Sequence, residues 1–379
     1  MIYFDNSSTT KPYQEVLDSF NKVSSEYFGN PSSLHGLGAQ SEKLLFKARE
    51  QIAELLNVNS NEVYFTSGGT ESNNLAIKGI ALKYKNRGRH IIMTEIEHPS
   101  VKEAARQLME WGFQITYIPV NGSGIVEVES IRQAITEETF FVSIMHVNNE
   151  VGSVQPIKEI GTLLSNYSKI LFHVDHIQGV GKIPLSIQEC HIDLFSISGH
   201  KFHGLRGTGA LYIRNGVKIA PLLSGGGQEE KVRSGTENVA GFVAMAKALR
   251  MTMAKQGDQL DKMIAIRDFL RNELEKIEEI KIHTPVAHAA PHLLNFSLKG
   301  IKAEVFVHAL EEDEIYVSTT SACSSKAKKA SDTLLAMGVA EEEAASAIRL
   351  SLSYENTLDE AQYFIEAVHR KIIKLRKVR

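Results

Sequence analysis

The chain has 379 residues, 43% hydrophobic and 23% charged, enough for a large core and for two domains. Lys and Arg number 42 against 45 Asp and Glu, so no overall field favours nucleic acid or an anionic membrane as the main partner, and a small or locally charged ligand is expected. No stretch approaches the roughly 18 uninterrupted apolar residues of a membrane span, and the opening "MIYFDNSSTTKPY" lacks a basic region followed by an apolar core, so a cytoplasmic protein with no membrane contact and no direct nucleic-acid binding is the expectation.

In chain order, the apolar runs "EVYFTSG", "HIIMTEI", "QITYIPV", "FFVSIMHV", "KILFHVD", "IDLFSIS" and "GALYIR" alternate with longer amphipathic stretches such as "PSVKEAARQLMEWG". Such an order predicts βαβ units and a mostly parallel sheet covered by helices on both faces. Near residue 250 the pattern changes. "AMAKALRMTMAKQGDQLDKMIAIRDFLRNELEKI" predicts a long helix, followed by a strand at "HLLNFSL", a helix at "AEVFVHALEE", a strand at "IYVST" and a final helix from about Leu358. This is a smaller α+β domain behind a helical linker. In the last helix Ile365, Val368, Ile372 and Leu375 share a face and the basic residues gather at the end, as in a packed helix with cations near its C-terminus; a docking patch is the competing reading.

Ligands of open α/β sheets gather beyond the carboxyl ends of the strands, so the residues that follow each run matter most. "FTSGGTESNN" sets Gly68, Gly69 and Thr70 between a strand and a helix, either to bind a phosphate on free backbone N–H groups or as a tight turn with Thr70 as N-cap. "EIEHPS" leaves His98 at a strand end, "MHVNNEVG" leaves Asn148 and Asn149, and "FHVDHIQG" leaves Asp175, a carboxylate that is costly to bury unless it meets a cation. Lys201 follows another run in "FSISGHKFHGLRGTG". No GxxxxGK[ST] is present, and "GLRGTG" is not a GxGxxG between strand and helix, which argues against ATP or NAD. A desolvated lysine, a phosphate turn and an acid for a ring nitrogen together match pyridoxal 5'-phosphate.

The segments "DNSSTT", "FGNPSSLH", "FTSGGTESNNLAIKG", "EIEHPSV", "MHVNNEVG", "HVDHIQGVGK", "SGHKFHG", "RSGTENV", "SACSS" and "IRLSL" resemble, in order and spacing, those of NifS/IscS-like cysteine desulfurases. The resemblance spans essentially the whole chain. It implies a pyridoxal-phosphate-dependent transferase of fold type I with a large mixed sheet flanked by helices. Residues 1–14 would form an arm associated with the small domain, 15–255 the large cofactor domain, and 256–379 the small domain carrying a cysteine loop. It also implies a homodimer that converts L-cysteine to L-alanine and passes the sulfur, as a persulfide, to an iron–sulfur scaffold or tRNA-thiolating enzyme. By the same resemblance Lys201 is the Schiff-base lysine, Asp175 the partner of the pyridine nitrogen, His98 the group over the ring and a proton donor and acceptor, and Gln178 the partner of the phenolic oxygen. Gly69, Thr70, Ser198 and His200 meet the phosphate, joined by Thr236 of the neighbouring subunit. Asn149 and Arg349 hold the substrate carboxylate, and Asn149 also meets the cofactor.

Cys323 corresponds to the sulfur acceptor. Its setting, "STTSACSSKAKKASD", is small and polar, and Lys326, Lys328 and Lys329 favour a thiolate. Cys190, in "IQECHIDLF", reads as a buried structural residue, and two cysteines so far apart form no disulfide framework or zinc site. Where the family usually has alanine this chain has Ser8, Gly69 and His176, and Thr320 stands where glycine is frequent. By strand alternation Asp175 and Ile177 point the same way, so Ile177 is expected under the cofactor ring and His176 on the other side. Selenocysteine lyase, a related lyase or an aminotransferase on the same scaffold, and a docking or sulfur-carrier subunit, stand as alternatives.

Overall fold

The structure, a computed structural model, describes residues 1–319 and 330–376. The chain opens with the short strand β1 (Ile2–Tyr3), and the seven runs singled out above become β2 (Val63–Thr66), β3 (His90–Thr94), β4 (Gln114–Ile118), β5 (Thr139–Met145), β6 (Leu171–Asp175), β7 (Leu194–Ser198) and β8 (Gly209–Ile213). They form one sheet of order β2-β8-β7-β6-β5-β3-β4. Only β8 runs against its neighbours β2 and β7; the other pairings are parallel. The result is the α/β fold with a mostly parallel mixed sheet.

The strands read as continuous apolar runs because both faces are covered. Along β3, Ile92 enters one hydrophobic cluster while Ile91 and Met93 enter the other. Along β8, Ala210 and Tyr212 face the first, Leu211 and Ile213 the second. Cys190 is buried in the first cluster, 3% exposed, where burial raises its thiol pKa, in keeping with a structural role.

A long helix, Val239–Leu274, joins this layer to a second core: Phe242 to Leu249 pack on the large sheet, and Met263, Ile266 and Leu270 on the smaller one. The smaller sheet contains β9 (Ile280–Ile282), β10 (Leu293–Leu298), β12 (Ser318–Thr319) and β13 (Ala347–Ser351) in the order β12-β13-β10-β9, while β11 (Ile315–Tyr316) pairs in parallel with β1. The expected terminal helix spans Leu358–Arg376. Ile365, Val368 and Ile372 are buried, and Lys371 and Lys374 pair with Glu312, so these cations serve packing within the chain. Among the described residues no helix is long and apolar enough to cross a membrane.

Candidate active site

Because β2, β3, β5, β6 and β7 run the same way, the segments leaving their carboxyl ends converge on one edge of the sheet. A cavity of about 240 Å³ opens there. Gly69 and Thr70 reach it from β2, His98 and Ser100 from β3, and Asn149 from β5. Asp175, Ile177 and Gln178 reach it from β6, and Ser198, His200 and Lys201 from β7. Larger clefts of about 310, 340, 430 and 570 Å³ contain none of Lys201, Asp175 and His98.

Asp175 closes β6 and is 5% exposed. Its Oδ1 accepts from the Ile177 N–H at 3.0 Å and its Oδ2 from Asn73 Nδ2 at 2.7 Å, so both oxygens act as acceptors, as a carboxylate's do. Asn73 spends its second proton on Ser100 Oγ at 2.9 Å. Ser100 in turn meets His98 Nδ1 through its hydroxyl at 2.8 Å and its backbone N–H at 3.1 Å. A ring nitrogen that accepts from an amide N–H carries no proton, which places the imidazole proton of neutral His98 on Nε2. Burial lowers the His98 pKa, and the Lys201 charge lowers it further against the pull of Asp175. His98 is thus both the N-cap of helix Pro99–Glu110 and a wall of the cavity. Asn73 and Ser100 escaped the sequence reading; their only signal was a run of polar residues in the first turns of two helices.

Lys201 Nζ donates to the carbonyls of Ser7 at 2.5 Å and Ser8 at 2.9 Å, so the backbone of the first residues holds the amine. From below, the Lys201 carbonyl accepts from Lys182 Nζ at 3.1 Å. Lys182 is buried, and burial with the Lys201 charge brings its pKa down to about 7. Burial takes the neighbouring His200 to about 4, with Lys201 and Arg206 acting in the same direction.

The remaining expected residues lie differently. Thr70 is not an N-cap: helix Gly69–Tyr84 begins one residue before it, with Gly68 at the cap, so Thr70 belongs to the first turn. Thr236 is exposed and does not line the cavity of its own chain. Arg349, 3% exposed on β13, does not line it either; its Nη1 donates to the Asn149 carbonyl at 2.9 Å, and its Nη2 to Asp5 Oδ1 at 3.1 Å and Ser8 Oγ at 2.7 Å. Cys323, with Thr320 and the three nearby lysines, lies outside the described residues. Ile177 lines the cavity beside Asp175, whereas His176 turns away and stacks on Phe195 and His146, its Nδ1 2.7 Å from that of His146.

The model of the family described as aminotransferase class-V matches residues 2–364. The chain belongs to the aminotransferase class-V family. It is 47% identical over 369 residues to a "NifS/IcsS protein homolog" of Lactobacillus delbrueckii subsp. bulgaricus, covering 97% of this chain and 96% of that one. It is 43% identical over 379 residues to the "Cysteine desulfurase IscS" of Clostridium botulinum, covering 99% and 95%. Among solved structures it superposes on a "NifS-like protein" with a TM-score of 0.93 and 38% identity, covering 98% of this chain and 99% of that one.

Enzymes of this class-V group depend on pyridoxal phosphate, and the donor set suits that molecule. Asp175, an acceptor through both oxygens, stands ready for a protonated ring nitrogen. Gln178 and Asn73 each carry a buried amide oxygen with no partner among the described residues, Gln178 on the cavity wall. The first turn of helix Gly69–Tyr84, with Thr70 and Ser198, presents N–H and hydroxyl groups to an anion.

Proposed function

We propose that the chain removes sulfur from L-cysteine in this cavity and carries it away on Cys323. The chain is a pyridoxal-phosphate-dependent cysteine desulfurase. The observation that carries the site assignment is the convergence of Lys201, Asp175 and His98 on one cavity from three different strands.

In this reading Lys201 holds the cofactor aldehyde, Asp175 the ring nitrogen and Gln178 the phenolic oxygen. Gly69, Thr70, Ser198 and His200 meet the phosphate, with Thr236 completing that end from a second subunit of a homodimer. When bound, pyridoxal phosphate supplies an electron sink for the α-carbon of the amino acid. The substrate carboxylate lies against Asn149 and the guanidinium of Arg349, whose Nη1 donates to the Asn149 carbonyl. Lys201, held between the Ser7 and Ser8 carbonyls and the buried Lys182, takes the α-proton once its amine is free. His98 presents Nε2–H as the proton donor on the substrate side.

The Cys323 thiolate attacks the substrate sulfur: a sulfur–sulfur bond forms as the carbon–sulfur bond breaks. Cysteine plus enzyme thiol gives alanine plus enzyme persulfide, with no external oxidant or reductant. An acceptor protein of iron–sulfur cluster assembly or tRNA thiolation then takes the sulfur. Residues 1–14 act as an arm of a small domain at 256–379, and 15–255 form the cofactor domain.

The test incubates the holoenzyme and Cys323→Ala with L-cysteine and each acceptor, following alanine, sulfide and persulfide transfer. The variant should keep the cofactor absorbance and lose sulfur release; full turnover without Cys323 overturns its assignment.

A further inference from the structure

Gly69 is the first residue of helix Gly69–Tyr84 and is not among the glycines with positive φ, so backbone freedom does not explain it. Space does. A Cβ at position 69 would lie 2.2 Å from Ile177 Cδ1 and 3.2 Å from its Cγ1, with Ser198 Cβ at 3.5 Å. Carbon atoms pack at about 3.5–4.0 Å, so the terminal methyl of Ile177 already fills the volume that a side chain at 69 would take. The Ile177 N–H is tied to Asp175 Oδ1 at 3.0 Å and its β-branch holds χ1, so the side chain gives way by turning its Cδ1 methyl about χ2. Both residues line the cavity, which is therefore the open side for a displaced methyl.

We propose that Ile177 is a positioning residue for the cofactor and that Gly69 is the vacancy that seats it. The two act as one steric unit, locking the helix turn that meets the phosphate against the strand end that carries Asp175. This fixes the distance between the two ends of the cofactor's seat. The inference rests on the cofactor's lying in this cavity.

Apoenzyme of the wild type, Gly69→Ala, Ile177→Ala, the double variant and Lys201→Ala is titrated with pyridoxal phosphate, reading affinity and absorbance, with melting of each apoenzyme as the control for folding. Gly69→Ala should weaken cofactor binding about ten- to hundredfold, because overpacking one methyl pushes Ile177 into the seat. Ile177→Ala should weaken it severalfold by removing the floor. In the Ile177→Ala background, adding Gly69→Ala should change affinity by less than about threefold, since the clash has gone. Wild-type affinity in Gly69→Ala or Ile177→Ala, or an undiminished Gly69→Ala loss when Ile177 is cut, overturns the proposal. Should Gly69→Ala not fold, a folded double variant that binds cofactor supports it and an equally unfolded one overturns it. Lys201→Ala separates the two readings: unchanged absorbance and affinity there would place the cofactor elsewhere. A changed Lys201→Ala with a silent Gly69→Ala defeats this inference alone.

Discussion

Asn73 donates to Asp175 Oδ2 at 2.7 Å and, with its other proton, to Ser100 Oγ at 2.9 Å, so a single amide joins the buried carboxylate to the cap that sets the His98 tautomer. A hydrogen bond to a charged group contributes about 1.5–3 kcal/mol, and Asn73→Ala is expected to weaken pyridoxal phosphate binding about tenfold or more. Asn73→Asp should be worse, because two adjacent carboxyls cannot both ionise and one is forced to hold a proton. Equilibrium titration of the apoenzymes checks both. Unchanged affinity in Asn73→Asp would mean that Asp175 does not anchor the cofactor.

Glu97 supplies a pH prediction. Its Oε1 accepts from Thr94 Oγ1 at 2.6 Å and the Met145 N–H at 3.0 Å, while its Oε2 is buried with no partner among the described residues. Burial, and to a smaller degree the Asp175 charge, raises its pKa from 4.5 to about 8. Between those values the unfolded chain releases the proton and the folded chain keeps it, so this group's contribution to stability is full below about 4.5, falls as pH rises and is lost by about 8. The neutral isostere Glu97→Gln lacks that slope. Its melting temperature should therefore gain on the wild type steadily from about pH 5 to about pH 8, the interval spanned by the shift, and level off beyond it. A constant difference across the range would show Glu97 already ionised.

His176 and Gly179 form a second tight pair on the opposite side of Asp175. A Cβ on Gly179 would lie 2.4 Å from His176 Cε1, 2.6 Å from its Nδ1 and 2.9 Å from His146 Nδ1. Gly179→Ala should cost about 1–3 kcal/mol of stability by overpacking two buried rings. Adding His176→Ala to Gly179→Ala should recover most of that cost while leaving cofactor affinity near that of the wild type, because His176 faces away from the cavity. Thermal melting of the four-variant cycle reads the coupling, and additive losses would refute the pairing.

Much of the fold was legible locally. Six of the seven large-sheet strands fall within an apolar run bounded by polar or glycine turns, and β5 starts one residue before its run, because a strand covered on both faces must be largely apolar along its length. Asp175 and His98 stood out as polar groups placed just where such runs stop, and Lys201 as an amine among glycines after another. Asn73 did not, since it sits in a helix turn whose polar residues look like any exposed surface until β6 is laid beside it. The hold on Lys201 had no sequence signature at all: it comes from the backbone carbonyls of Ser7 and Ser8, and every residue carries a carbonyl. The Thr70 cap failed for a local reason, since Gly68 takes the cap position and moves Thr70 into the first turn.

By itself, then, the amino-acid order determined the alternation of buried strands and covering helices, and which reactive side chains would sit at strand ends, because burial period and turn chemistry are properties of neighbours along the chain. Only the tertiary structure decided that Gly69 makes room for Ile177, that Asn73 serves Asp175, and that the first residues of the chain cradle Lys201. Those relations depend on the sheet order and on fractions of an ångström between residues remote in sequence, and no local pattern encodes either.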